Sequence, residues 1–258
     1  MKASSWLSLV LSLAAVVGTA RADDRGLEIA TQADRRDTGF GDFSADLTMT
    51  LFGNRGETNV RRMRARVLET ERGDKRLILF DEPGDVRGTA VLTHTHADGG
   101  DDQWIYLPSI KRVKRIATGA KSGPFMGSEF AYEDLTAQEL ARYQYQYLRE
   151  EKCDGGQCYV IERVPTDAQS GYRRQLVWID GEELRAWRVE YYDRKDALLK
   201  VLTLGKYELY KDRYWRARTM TMENVQTGKR TVLDWSNYVF GSGLTEAAFD
   251  PARLSDLR

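Results

Sequence analysis

Phe43-Ser44-Ala45-Asp46-Leu47-Thr48-Met49-Thr50-Leu51 decides the fold class. Phe43, Ala45, Leu47, Met49 and Leu51 alternate with Ser44, Asp46, Thr48 and Thr50, a period of two that puts apolar side chains on one face of a strand and polar ones on the other. Asn54-Arg55-Gly56 follows as a turn, and Met63, Ala65 and Val67 then alternate with Arg62, Arg64 and Arg66. One dry face and one wet face is the pattern of antiparallel strands. Further strand candidates lie at 76–80, 89–93, 103–107, 113–116, 143–148, 159–164, 175–179, 186–192, 198–210, 214–222 and 229–238. Turn signals such as Glu82-Pro83-Gly84, Asp98-Gly99-Gly100, Asp180-Gly181 and Thr227-Gly228 separate many of them. Strands at this density predict a mainly β chain folded as a sandwich or a barrel. One helix is expected ahead of them, over 26–37, where Leu27, Ile29, Ala30 and Ala33 share a face and Gly39 stops the run.

The chain has 258 residues, 41% of them hydrophobic, with 39 Lys+Arg against 39 Asp+Glu. That is enough apolar content for a core, and zero net charge argues against a protein that coats nucleic acid. No repeat, low-complexity tract or linker divides the sequence, so one domain is expected over 23–258. The first 22 residues read differently: Lys2, an apolar stretch over 7–17, then Ala20-Arg21-Ala22 as a cleavage site. This predicts a secretory signal peptide and a mature chain from Asp23, with no Cys there to carry a lipid. No later stretch reaches the ~18 apolar residues of a membrane helix. The expected location is a bacterial periplasm.

Cys153 and Cys158 flank Asp154-Gly155-Gly156-Gln157, a tight turn between strand-like runs. A disulfide across the hairpin neck is expected, worth the low end of ~2–4 kcal/mol because the loop is short. A redox-active pair is the alternative, and the C-x4-C spacing lacks the features that lower a thiol pKa. His94 and His96, with Asp98, Asp101 and Asp102, are the one cluster resembling metal ligands, but the Gly-rich run looks like a hairpin tip. No nucleophile elbow or phosphate-cradling motif occurs. Neither an enzyme nor a cofactor is expected.

Residues 117–131 break the strand pattern. A lid or gate carrying Phe125, Met126, Phe130, Tyr132 and Leu135 is one reading, and a plain crossover loop is the other. Thr136 and Glu139 are spaced as a capping box, which predicts a short helix after it. Lys111, Arg112, Lys114 and Arg115, with Lys121 nearby, form a basic run. It is either a solvated strand face or a docking patch for an acidic partner or an anionic membrane, where each basic residue adds about 1 kcal/mol.

The blocks Asp102-Gln103-Trp104-Ile105-Tyr106-Leu107-Pro108 and Phe125-Met126-Gly127-Ser128-Glu129-Phe130-Ala131-Tyr132-Glu133-Asp134-Leu135 carry a family signature. Together with Glu82-Pro83-Gly84-Asp85-Val86-Arg87-Gly88-Thr89 upstream and Met222-Glu223-Asn224 downstream, the chain resembles the outer membrane lipoprotein-sorting protein family of LolA/LolB-like periplasmic proteins. The resemblance implies a half-open, strongly curved antiparallel sheet, barrel-like, wrapped around helix and lid segments with an apolar cavity between. It implies a carrier of lipid or lipoprotein acyl chains between inner and outer membrane. An RND/MMPL-type or ABC inner-membrane transporter, an outer-membrane acceptor and transient contact with a membrane surface are the implied partners. The carriers' lid-locking Arg is assigned to no residue here. Phe43, Leu47, Met49, Met63, Val67, Trp104 and Tyr106 are the expected cavity-wall residues. The competing class is a non-transporting periplasmic adaptor with a filled barrel; an enzyme acting on envelope lipids is a third. Cavity volume separates the first two.

Overall fold

The computed structural model describes residues 20–257 except Asp98 and Gly155. The apolar stretch of the expected signal peptide lies outside the described residues. Among them the sequence folds as one helix, α1 (Ala20–Asp37), and thirteen strands in a single antiparallel sheet. The first run comprises β1 (Asp42–Phe52), β2 (Thr58–Leu68), β3 (Lys75–Glu82), β4 (Ala90–His94), β5 (Asp102–Leu107) and β6 (Arg112–Arg115). The second comprises β7 (Tyr143–Cys153), β8 (Gly156–Pro165), β9 (Tyr172–Asp180), β10 (Ala186–Asp193), β11 (Leu198–Tyr210), β12 (Tyr214–Asn224) and β13 (Arg230–Phe240). Every sequence-predicted strand is present.

Each run is a meander of sequence neighbours, and β1 pairing with β13 joins them, from Phe43 opposite Phe240 to Phe52 opposite Arg230. The two outer strands, β6 and β7, do not pair with each other. The barrel allowed by the strand count is therefore a curved but open sheet. Period-two alternation sends Phe43, Leu47, Met49, Met63, Val67, Ile78 and Phe80 to the concave face, where they form the main core with Ile29 and Ala30 of α1.

The convex face is also covered over β3–β5. Leu77, Leu79 and Leu92 pack there against Phe249 and Leu254 of the C-terminal 3-10 turns Glu246–Phe249 and Pro251–Asp256. Trp104 and Tyr106 belong to this second cluster. They were expected in the cavity wall and are instead on the opposite side, because the C-terminal turns supply an apolar partner there.

The helix starts earlier than the predicted 26 and lies along β7. Gly26 is the point of contact: a Cβ there would sit 2.7 Å from Gln146 C and Tyr147 N, backbone atoms that cannot swing away. In an open helix Gly→Ala stabilises by about 1 kcal/mol. Here the sign reverses, so Gly26→Ala is expected to lower Tm, and a raised Tm would show that helix and strand are not in register as described. Arg25 and Arg36 fasten the helix to Glu150 (2.8 Å) and Glu183 (2.6 Å).

Between β6 and β7 the chain forms short 3-10 turns, including Phe125–Gly127, Tyr132–Leu135 and Leu140–Arg142. The helix predicted from the Thr136 capping box does not form. Thr136 is extended, and its hydroxyl donates back to the Glu133 carbonyl at 3.0 Å. Asp134 caps instead, accepting from the Ala131 N–H at 2.6 Å. The Cys153–Cys158 disulfide is present, with 5.9 Å between Cα atoms, and it closes the β7–β8 hairpin.

Candidate functional site

The concave face is not filled. Between it and α1 lies a cavity of about 700 Å³. Much of its lining is hydrocarbon, including Phe43, Val67, Ile161, Val177, Leu202 and Leu233, with Arg163, Asp134 and several Tyr rings among it. Those six apolar side chains come from six different strands, each contributing the inward half of its alternation. Toward one end the lining becomes polar. The end of α1 supplies Asp34 and Asp37, and the connections after β2, β9 and β11 supply Glu69, Asp74, Glu183 and Arg213. Strands joined in antiparallel order put those connections at the same end, so the sequence order itself places a charged rim around an apolar interior.

Phe130 closes the cavity toward the other end, and Leu135 lies between it and the rim, where its carbonyl meets Arg76. Buried polar groups hold this segment firmly. Lys200 Nζ pairs with Asp134 Oδ2 at 2.6 Å, with both side chains nearly sealed from solvent, and also donates to the Glu129 carbonyl at 3.0 Å. The Tyr172 hydroxyl donates to Asp134 Oδ1 at 2.7 Å, and the Lys200 ammonium lies 5.1 Å from the Tyr172 ring centre. Ser170 Oγ and the Gly171 N–H donate to Glu133, at 2.9 Å each. Burial raises the Glu133 carboxyl above its ordinary range, against the pull of those two donors. Asn224 donates to Glu129 Oε2 at 2.8 Å. The segment from Glu129 to Leu135 is thus fastened to β9, β11 and β12, a role its spacing did not reveal.

The expected lid residues divide. Phe130 and Leu135 line the cavity. Phe125 packs behind them on Phe80 (6.0 Å between ring centres) and Tyr132 (5.4 Å), and the Met126 carbonyl accepts from Arg61. Of the expected wall, Phe43 and Val67 line the cavity, while Leu47, Met49 and Met63 are core beneath it.

Two charged residues in the wall were missed. Arg76, on the inward face of β3, donates from its NH1 to the Leu135 carbonyl at 2.8 Å. Its Nε is buried with no hydrogen-bond partner among the described residues, and burial pulls its pKa down. Asp74, two residues away, is raised from its ordinary value to about 6, chiefly by burial and partly by Glu69 and Glu139, with Arg76 opposing. An unfolded Asp titrates near ~3.9, so the folded chain holds the extra proton between those values and gains stability as pH falls through that window. Asp74→Asn is expected to raise Tm at pH 7.5 by a few degrees and to flatten the rise toward pH 5. An unchanged pH slope would show that Asp74 is not held away from its usual titration.

The basic run is split as well. Lys111, Arg112, Lys114 and Arg115 are exposed on the edge strand β6 and its approach, with Arg115 bonded to Asp102. Lys121 is buried, its Nζ donating to the Asp101 carbonyl at 2.5 Å, so it does not belong to the patch. His94 and His96 go separate ways, His94 Nε2 to the Phe249 carbonyl (2.8 Å) and His96 Nε2 to Asp102 (3.1 Å). Among the described residues no group of three or more His, Cys, Asp or Glu is placed to hold a metal ion. No helix among them is long and apolar enough to cross a membrane.

A solved outer membrane lipoprotein-sorting protein domain from Vibrio parahaemolyticus is 50% identical, with a TM-score of 0.88 over 90% of this chain and 99% of that one. The chain belongs to this family. A DUF1329 family protein from Desulfovibrio piger is 31% identical with a TM-score of 0.86, covering 90% of this chain and 99% of its own. A family model described only as an uncharacterized-protein-like family matches residues 72–256, more than half of the chain. No curated protein sequence is detectably similar. A LolA superfamily protein from Nitrosomonas europaea, 22% identical with a TM-score of 0.71 over 91% of this chain and 98% of that one, shares the fold. The lipoprotein-sorting family is thus one whose members wrap an open curved sheet in the LolA manner.

Proposed function

We propose that the chain is an exported carrier that shelters acyl chains of a lipid or lipoprotein between the inner and outer membranes of the periplasm. The observation that supports this reading is the cavity of about 700 Å³ with its mainly apolar lining. It falls within the ~300–1,000 Å³ of sites that bury a drug-sized ligand. An acyl chain in water costs about 0.8 kcal/mol per CH₂, so a lipid crosses an aqueous space only when covered. An adaptor with a filled interior has no use for this void, which favours the carrier.

In this reading the signal peptide directs export, and residues 23–258 act as one unit. The segment carrying Phe125, Met126, Phe130, Tyr132 and Leu135 is a fixed floor, and cargo enters past the charged rim. Arg76 ties that floor to β3 through the Leu135 carbonyl. The exposed Lys111, Arg112, Lys114 and Arg115 are the surface for transient contact with anionic lipid, and an RND/MMPL-type or ABC transporter and an outer-membrane acceptor are the partners at either end. The test is native mass spectrometry and lipid extraction of periplasmically expressed protein. Co-purified lipid is expected. Consistent recovery of empty protein, with no binding of a fluorescent fatty acid, overturns the proposal.

A further inference from the structure

The charged groups around the cavity are not equivalent. Arg36 pairs with Glu183 at 2.6 Å, Arg185 with Asp180 at 2.8 Å and Arg216 with Asp37. Arg163 donates to Gln175 Oε1 at 2.6 Å, and Arg213 to the Thr38 carbonyl at 3.0 Å. Arg76 differs from all of these. Unlike Arg36, Arg185 and Arg216 it has no carboxylate partner, its one hydrogen bond being to the Leu135 carbonyl, and unlike Arg163 and Arg213 it keeps a donor buried with no acceptor. Asp74 acts on it only through space: no carboxylate among the described residues is in ion-pair contact with it, and its Nε is sealed from solvent without a partner.

A guanidinium in this setting is an incomplete site. Its planar fork matches the two oxygens of a carboxylate or phosphate, and charge-assisted bonds of that kind are roughly twice as strong as neutral ones. A buried polar group left unpaired costs free energy that a ligand anion relieves. Its place in the cavity matches as well. Arg76 is the second residue of β3, just inside the rim loop that carries Asp74, with Val67 beside it across the β2–β3 ladder. An oxyanion on Arg76 would therefore sit below the mouth, with the apolar interior of Ile161, Val177 and Leu202 free for a tail.

We infer that the cargo is an anionic amphiphile whose carboxylate or phosphate head group is bound by Arg76, with its acyl chain in the apolar interior. This rests on the carrier reading and narrows it from any acyl chain to one with an acidic head.

The test uses tail-matched pairs: palmitate against hexadecanol for a carboxylate, and phosphatidic acid against diacylglycerol for a phosphate, measured by displacement of a fluorescent probe. Wild-type protein is expected to bind the charged member of at least one pair about tenfold or more tightly, and which pair shows it identifies the head group. Arg76→Met is expected to bring the members of that pair within about twofold while still binding the neutral one, with Arg76→Gln as a second variant if the first does not fold. Equal wild-type affinity for charged and neutral members overturns the inference without touching the carrier reading, and needs no variant. A preference that survives in folded Arg76→Met or Arg76→Gln protein overturns it too. If no member of either pair binds, the carrier reading fails and this inference with it.

Discussion

Lys200→Met is expected to cost about 3–5 kcal/mol of stability, the range for removing one partner of a buried ion pair. Lys200 is 4% exposed, and it is the cation that faces Asp134. Without it the Asp134 carboxylate keeps the Tyr172 hydroxyl and the Ala131 N–H as donors but has no counter-charge in a low-dielectric setting. The floor of the cavity hangs on that carboxylate, so the loss should fall on residues 125–135 and their contacts with β9 and β11. Urea unfolding gives the magnitude. Adding Asp134→Asn in the Lys200→Met background should recover part of the loss, since the stranded charge is then gone. A single variant within 1 kcal/mol of wild type would mean that the pair is solvated and the floor is not fastened as described.

The second large effect concerns binding alone. Val177→Phe with Leu202→Trp places two bulky side chains into the cavity from strands β9 and β11, which are separated by β10. In a filled core such enlargements strain the packing and cost about 1–3 kcal/mol each. In an open cavity they occupy space meant for cargo. The double variant is therefore expected to lose fatty-acid affinity by tenfold or more, about 1.4 kcal/mol, while its Tm stays within a few degrees of wild type. Unchanged affinity in a folded double variant would place the ligand elsewhere.

The strands were legible because each carries its own alternation, as Phe43 to Leu51 shows, and the turns between them are marked by Gly, Asp and Pro. Which face looks inward was harder. β3 reads Leu77-Ile78-Leu79-Phe80 with every residue buried, so its pattern is apolar on both sides and names neither as the cavity wall. Trp104 and Tyr106 were misplaced for the same reason, since their partners Phe249 and Leu254 lie over 140 residues further along the chain. Thr136 and Glu139 matched a capping box by spacing alone, but Asp134 had already taken the capping role two residues earlier. Lys200, Arg76 and Asp74 look like ordinary charges in a sequence rich in them. Only the fold brings Lys200 against Asp134 or leaves Arg76 facing an empty interior.

The seam between β1 and β13 has a consequence for how the molecule assembles. Every other ladder in the sheet joins strands adjacent in sequence, while this one joins Phe43 to Phe240 and Phe52 to Arg230. Loop-closure entropy therefore makes it the last pairing to be gained, after two self-contained halves have formed. Until then β1 is an unpaired border with exposed amide groups, the sort of surface that captures foreign strands. A nascent chain cannot protect it before β13 (Arg230–Phe240) has emerged, so the period of greatest aggregation risk lasts until that strand is free to pair.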